Sequence, residues 1–178
     1  TGKITGTGIT SAVQRGVYPA AAGVNDVMLN LEVSSFPYGV HPAPVGVISS
    51  ANNPKRWNGF LYIHDISGTT GASEGYGLLL ETAESCNFVV RGKNIKRHLV
   101  YISAGASYNT VDADCDGCGN YAMQFNSLSA SQPACKQNRV KISARNLTTD
   151  VAGQSGALAI VSNCHGNVCE VYCTGNAT

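Results

Sequence analysis

The sequence predicts an all-β fold in which the chain winds as a parallel β-solenoid of about six coils. An Asn recurs at intervals of 22, 29 and 29 residues, and small apolar residues alternate with polar ones after each Asn. No segment shows a convincing helical stripe of about ten or more residues. Of the 178 residues, 20 are Gly and only 13% are charged, while 43% are hydrophobic, so the composition favours strands and turns around a core.

The recurring Asn fixes the register of the predicted coils. The repeats begin at Asn87, Asn109, Asn138 and Asn167, and the second, fourth and sixth residues after each Asn are mostly small or β-branched. This alternation is typical of a half-buried strand. We expect each Asn to lie at a corner, to adopt left-handed backbone geometry there, and to hydrogen-bond to the Asn of the next coil.

Arg91 is the exception, because this register places it in an apolar column. A local misalignment at the Arg-Gly pair is favoured over a buried cation, which would need a partner. A second predicted strand precedes the recurring Asn, in the segments GLLLE, HLVYIS and ALAIVS. We expect a single domain over residues 1–178, with irregular first coils over residues 1–57 and regular coils over residues 58–178.

Four segments carry a family resemblance: NFVVRGKNI, NTVDADCDGC, NRVKISARNL and NVCEVYCTGN. They resemble coils of right-handed parallel β-helix proteins, the pectate-lyase-like family, and especially bacteriophage tailspikes and capsular-polysaccharide depolymerases. The resemblance implies a homotrimer, in a virion or otherwise extracellular, that recognises a bacterial capsular or O-antigen polysaccharide. Because the chain begins at Thr without an initiator Met, we expect it to be a processed product or a fragment of a longer chain.

Three functions stay open at this point. The chain is a tailspike-type domain that recognises and hydrolyses a polysaccharide, a binding-only structural segment of a spike or fibre, or a secreted microbial polysaccharide lyase or hydrolase. Hydrolysis ranks above elimination because no cluster of acids accompanies Arg91 on neighbouring coils. The net charge of +1 argues against nucleic acid, and no apolar run approaches the roughly 20 residues of a membrane span. We expect no cofactor, no metal and no membrane insertion.

Asp112 and Asp114 are the candidate catalytic pair. They alternate with Val111, Ala113 and Cys115, so both are expected to project outward from one strand, about 6.6 to 7 Å apart. That separation is near the lower limit for an inverting glycosidase, whose two carboxyl groups must leave room for a water. The competing interpretation is a solvated ladder of ion pairs without chemistry.

Four further residues are candidates for substrate binding. Lys141 and Glu170 share a predicted column with Asp112, so Lys141 is expected between two acids on neighbouring coils. Tyr101 and Trp57 are proposed because sugars stack on flat aromatic rings whose polar tips stay wet. Trp57 lies in NPKRWNG, which predicts an exposed connection, with capping of the first regular coil as the alternative role.

The Cys residues predict neither a zinc site nor a full disulfide framework. Cys115 and Cys118 have the spacing of a zinc knuckle, but a second short-gap pair is missing. Cys135 and Cys164 fall at equivalent positions, where a disulfide is sterically conceivable. Buried free thiols acting as small apolar side chains are the favoured interpretation.

His64 and Asp65 are neighbours along one predicted strand. Adjacent residues of a strand point to opposite faces. We therefore expect that the imidazole and the carboxylate do not face each other.

Overall fold

The computed structural model describes residues 1–6, 14–19, 21, 23–43, 52–67, 75–127, 132–148 and 155–174. Within these ranges the chain forms fifteen strands and no helix. In chain order the strands are β1 (Gly2–Thr5), β2 (Arg15–Val17), β3 (Met28–Ser34), β4 (Tyr38–Val40), β5 (Asn58–Ile66), β6 (Tyr76–Glu81), β7 (Asn87–Ile95), β8 (His98–Ser103), β9 (Thr110–Cys118), β10 (Tyr121–Asn126), β11 (Cys135–Lys136), β12 (Arg139–Arg145), β13 (Gly156–Ile160), β14 (Cys164–His165) and β15 (Val168–Thr174).

These strands pair in parallel into three sheets. The first sheet has seven strands in the order β1-β3-β5-β7-β9-β12-β15, and the second has six in the order β13-β10-β8-β6-β4-β2. The third sheet pairs β11 with β14. Between any two neighbours of the first sheet, the chain passes through a strand of the second sheet. The predicted all-β class is confirmed, and its sheets are parallel.

Inward side chains of the two large sheets share one core. In the first sheet Phe88, Val111 and Val140 are consecutive neighbours across β7, β9 and β12, and all three are buried. In the second sheet Ile102 of β8 lies beside Phe125 of β10, and both are fully buried. Burial of each such side chain stabilises the fold by about 1.5–3 kcal/mol.

The predicted register holds from β9 onward and is shifted by one residue at β7. Asn87 pairs with Thr110, and the neighbour of Asn109 is Cys86, whose backbone N–H donates to Asn109 Oδ1 at 2.9 Å. The shift places Arg91 beside Asp114, on the outward face of the sheet. The interpretation of Arg91 as a local misalignment is therefore confirmed.

The predicted Asn ladder is present over its last three members. Asn109 Nδ2 donates to Asn138 Oδ1 at 2.9 Å, and Asn138 Nδ2 donates to Asn167 Oδ1 at 2.9 Å. The predicted left-handed backbone is wrong for these residues, because it belongs to the residue before each of them. Tyr108 and Gln137 have φ values of 58° and 54°.

The left-handed positions recur along the chain at equivalent places. One set precedes the strands of the first sheet and consists of Asp26, Arg56, Ser85, Tyr108, Gln137 and Gly166. A second set lies at or just after the C-terminal ends of those strands and consists of Ser35, Asp65, Asn94, Gly117 and Asn146. Within each set the residues occupy equivalent positions on neighbouring strands. Successive connections therefore follow similar paths.

Trp57 differs from its prediction. It is only 3% exposed, packs in the main core, and donates from Nε1 to the Val24 carbonyl oxygen at 2.7 Å. The predicted exposure of this ring is wrong, because the indole fits between neighbouring segments of the core. Its bond to Val24 ties the start of β5 to the preceding part of the chain.

Two of the Cys residues are bonded to each other. Cys115 and Cys118 form a disulfide inside the core, so the favoured interpretation of free buried thiols is wrong for this pair and its spacing does not mark a zinc knuckle. Cys135 and Cys164 are direct neighbours across β11 and β14, as the register predicted, and both are free.

Candidate functional site

The best candidate site is a cavity of about 360 Å³ on the outer side of the second sheet. We call it the tyrosine groove, and its main lining residues are Tyr38, Tyr76, Glu81, Tyr101, Gln124 and Asn126. These residues come from β4, β6, β8 and β10, which are consecutive strands of that sheet. The groove therefore runs across four parallel strands.

Alternation along β6 and β8 separates core residues from groove residues. Leu78 and Leu80 point into the main core, whereas Leu79 packs in a separate small cluster with Tyr76 and Tyr101. Glu81, two residues after Leu79, lines the groove. The same pattern recurs on β8 and β10, so parallel pairing stacks the outward side chains of all three strands.

Aromatic rings form the floor of the groove. The ring centroids of Tyr38 and Tyr76 are 5.5 Å apart, those of Tyr76 and His98 are 5.3 Å apart, and those of Tyr76 and Tyr101 are 5.0 Å apart. Because Tyr76 stacks on His98 and Tyr101 while Tyr38 is tilted against it, the ring faces are largely covered. The groove is consequently lined by ring edges and polar tips.

Tyr101, predicted to bind substrate, lies in this groove. Its ring is only 7% exposed, so it does not offer an open face to a sugar. Burial raises the pKa of its hydroxyl to about 12. The phenol is thus protonated at neutral pH and able to donate a hydrogen bond.

A chain of three polar residues closes one end of the groove. Arg15 Nε donates to His41 Nδ1 at 2.7 Å, and His41 Nε2 lies 3.0 Å from Glu81 Oε2. Since Nδ1 accepts from Arg15, the proton of neutral His41 sits on Nε2 and is donated to Glu81. Burial lowers the pKa of His41 despite this contact with Glu81. The hydrogen bond from His41 also holds the pKa of Glu81 below its usual value, so Glu81 is a fixed carboxylate.

Polar side chains line the remaining wall. Glu81 pairs in register with Ser103, and Ser103 pairs with Asn126. Gln124 lies next to Tyr101 on the adjacent strand. Neighbouring parallel strands are about 4.8 Å apart, so these groups form a row of hydrogen-bonding partners along the sheet.

Asp112 and Asp114 lie on the other large sheet. Both project outward from β9, as predicted from the alternation with buried neighbours. Asp112 is 3.3 Å from Arg91, and Asp114 is 2.8 Å from Arg145. Each carboxylate is engaged by a different guanidinium, an arrangement typical of surface ion pairs. The structure does not bring this pair to the tyrosine groove.

Lys141 and Glu170 also lie on the first sheet. Lys141 of β12 is flanked by Asp112 and Glu170 in the strand register, which confirms the predicted column. Both Lys141 and Glu170 are exposed. The Lys141 ammonium lies 5.7 Å from the centre of the Tyr172 ring. Neither residue is part of the groove.

A second polar cluster surrounds His64. Its Nδ1 lies 2.7 Å from Asp65 Oδ2, and its Nε2 lies 3.1 Å from Glu32 Oε1. The prediction that His64 and Asp65 do not face each other is wrong, because Asp65 has a φ of 52° and breaks the alternation of the strand. Burial lowers the pKa of His64, but the hydrogen bonds to Asp65 and Glu32 outweigh it, so the pKa is raised overall.

The sequence contains a signal for the groove that alternation alone does not find. In YGLLLE, HLVYIS and YAMQFN, the first, fourth and sixth residues leave the core, and the fourth and sixth line the groove in several cases. Positions one, four and six are unequally spaced, so they do not follow the period-two alternation of a half-buried strand. The three segments therefore look apolar on both faces in the sequence. Repeated aromatic or polar residues at those three positions are the feature that marks the site.

Comparison of the chain with protein-family models, curated proteins and solved structures found no match in any of the three. The function of the chain is therefore inferred from its own residues. None of the described residues belongs to a helix with the length and apolar character needed to cross a bilayer.

Proposed function

We propose that the chain is a right-handed parallel β-helix whose tyrosine groove binds a polysaccharide. The winding is supported by the strand order, in which the chain alternates between two parallel sheets. It is also supported by the left-handed residues that recur near both ends of the strands of the first sheet. Together these features favour stacked coils of one hand, since parallel crossovers are almost always right-handed.

The row of polar groups in the tyrosine groove is the observation that supports glycan binding. A polysaccharide offers many hydroxyl groups along an extended chain, and Glu81, Ser103 and Asn126 offer acceptors and donors in a line. The cavity volume of about 360 Å³ lies within the range of small-ligand sites. Edges of Tyr76 and Tyr101 supply apolar contact between the polar groups.

The biological setting that we propose follows the resemblance of the coils to bacteriophage tailspikes. In that setting the ligand is a bacterial capsular or O-antigen polysaccharide, the assembly is a homotrimer, and the location is the virion or another extracellular site. Hydrolysis of the bound glycan by Asp112 and Asp114 remains a separate hypothesis, because those residues lie on the other sheet. Binding is the activity that the geometry favours.

A direct test is to screen the purified chain on an array of bacterial capsular and O-antigen polysaccharides and to titrate the best ligand by calorimetry. Tyr101→Phe and Asn126→Ala each remove one hydrogen-bonding group of the groove and are expected to weaken binding about three- to tenfold. Asn30→Ala, at an exposed Asn of β3 on the first sheet, is the matched control and should leave affinity unchanged. Wild-type affinity in both groove variants would overturn the proposed site.

The hydrolysis hypothesis has its own measurement. New reducing ends are quantified after incubation of the same glycan with the wild type, Asp112→Asn and Asp114→Asn. Loss of product in both variants with unchanged glycan affinity is the outcome expected of a catalytic pair. Release of reducing ends at the wild-type rate by both variants would exclude Asp112 and Asp114 as the catalytic pair.

A further inference from the structure

We infer that Arg97 makes the tyrosine groove selective for an acidic glycan by binding the carboxylate of a uronic acid. This inference rests on the proposed glycan binding and names the ligand class of the same site. It is carried by the position, the support and the unused hydrogen-bonding capacity of the Arg97 side chain.

Charge in the groove is unequal. Arg15 and Arg97 are the lining cations, and Glu81 is the lining carboxylate. Glu81 is already hydrogen-bonded to His41, which itself receives a hydrogen bond from Arg15. The local excess of positive charge therefore lies at the Arg97 end of the groove.

The Arg97 guanidinium is held in place by Tyr76. Nη1 donates to the Tyr76 hydroxyl at 2.8 Å, and the guanidinium carbon lies 5.6 Å from the centre of the Tyr76 ring. This support reduces the freedom that the side chain would lose on binding a ligand. An arginine fixed in this way is preorganised to bind a planar anion.

A purely structural Arg would be expected to engage more of its donors within the fold than Arg97 does. The guanidinium has five N–H groups, and the bond to Tyr76 engages one of them. Arg56, Arg91 and Arg145 each lie within 4.0 Å of a carboxylate, whereas among the described residues no carboxylate lies that close to Arg97. Arg97 lines the groove.

The chemistry of the guanidinium selects the ligand. Its planar fork can donate two parallel hydrogen bonds to the two oxygens of a carboxylate, which a Lys ammonium cannot match. Sugars that carry a carboxylate are the uronic and related acidic sugars. A neutral glycan would leave the cation at the groove without compensation, so selectivity is expected.

The probes are alginate oligosaccharides, the same oligosaccharides with their carboxyl groups reduced to alcohols, and dextran sulfate of similar length. Affinities are measured by calorimetry for the wild type, Arg97→Ala, Arg97→Lys and the control Arg139→Ala, an exposed Arg on β12. We expect the wild type to prefer the native over the reduced oligosaccharide by about ten- to hundredfold. Arg97→Ala should abolish the preference, Arg97→Lys should keep only part of it, and Arg139→Ala should retain it.

Two outcomes would overturn the inference alone, and a third would overturn it together with the proposed function. Equal affinity for native and reduced oligosaccharides, unchanged by Arg97→Ala, would leave glycan binding intact and remove the role of Arg97. Binding of dextran sulfate as tight as that of alginate would remove the carboxylate assignment. If no polysaccharide binds in any form, both the proposed function and the inference fail. Circular dichroism of each variant verifies that the fold is retained.

Discussion

Asn109 donates a hydrogen bond from its side-chain amide to the side-chain oxygen of Asn138 at 2.9 Å, and both residues are 1% exposed. Asn138 Oδ1 also accepts from the Asn109 backbone N–H at 3.0 Å, and Asn138 Nδ2 also donates to the Ala106 carbonyl oxygen at 3.0 Å. One buried side chain thus satisfies two backbone groups of the neighbouring segment between β8 and β9. This amide therefore joins the connections that precede β9 and β12.

Asn138→Ala is expected to lower the free energy of unfolding by about 2–4 kcal/mol, because it leaves buried backbone partners without a hydrogen bond. The measurement is urea denaturation followed by circular dichroism. Asn30→Ala is the control, since Asn30 is exposed on β3, and it should change stability by less than about 0.5 kcal/mol. A stability for Asn138→Ala within that same margin would contradict the role of the amide.

Gly92→Ala is expected to destabilise the fold by about 1–3 kcal/mol through overpacking. A Cβ added at Gly92 would overlap the Leu99 side chain, which is fully buried in the main core. The double variant Gly92→Ala with Leu99→Ala makes room for the added methyl group. It should be more stable than the sum of the two single changes predicts. Simple additivity of the two losses would argue against this contact.

The stabilisation that protonated His64 provides is expected to be lost as pH rises from about 6.5, the ordinary pKa of His, through the raised folded-state pKa of His64. Its folded-state pKa is raised above the unfolded value, since its hydrogen bonds to Asp65 and Glu32 outweigh the effect of burial. A raised pKa stabilises the fold fully below the unfolded pKa, and this contribution is lost as pH rises through the folded pKa. Unfolding free energies of the wild type and His64→Gln should therefore converge at high pH and diverge below about pH 6.

His41 provides the opposite case. Burial lowers its pKa in the folded state, so the stability that neutral His41 contributes is present above the unfolded pKa and is lost as pH falls from there through the folded pKa. His41→Asn should flatten that acid-side decline, while His64→Gln should leave it unchanged. Identical pH profiles for these two variants would contradict both assignments.

Thiol titration in denaturant without reductant is expected to count five thiols, and titration after reduction should count seven. The difference is the disulfide between Cys115 and Cys118, and the five other Cys residues carry thiols. The variant with both Cys115→Ala and Cys118→Ala should count five under both conditions. Seven thiols in the unreduced wild type would show that the bond is absent.

The repeat could be predicted from sequence where its spacing is regular. Asn109, Asn138 and Asn167 are 29 residues apart and are joined by the same side-chain amide hydrogen bonds, so the register predicted for them is correct. Before β7 the position equivalent to Asn109 is occupied by Cys86. Because Asn87 follows it directly, the sequence alignment on Asn was placed one residue too late. A single shift of that kind moves every following side chain to the opposite face.

The groove was harder to predict because its strands bury most of their side chains on both faces. Tyr76, Leu79 and Tyr101 face away from the main core yet are each 7% exposed. From the sequence alone, apolar residues at such positions cannot be distinguished from residues of the main core. The contact of His64 with Asp65 was also hidden, because the left-handed backbone of Asp65 has no clear signature in the residue type.

The tyrosine groove is assembled from β4, β6, β8 and β10, each contributed by a separate excursion of the chain. A change of sequence in one excursion alters one strip of the binding surface while its neighbours keep their own pairing. Exchange of a single segment is therefore expected to change ligand preference without disturbing the rest of the sheet. Chimaeras that transplant only His98–Ser103 into a homologous scaffold would transfer the central strip of this surface intact.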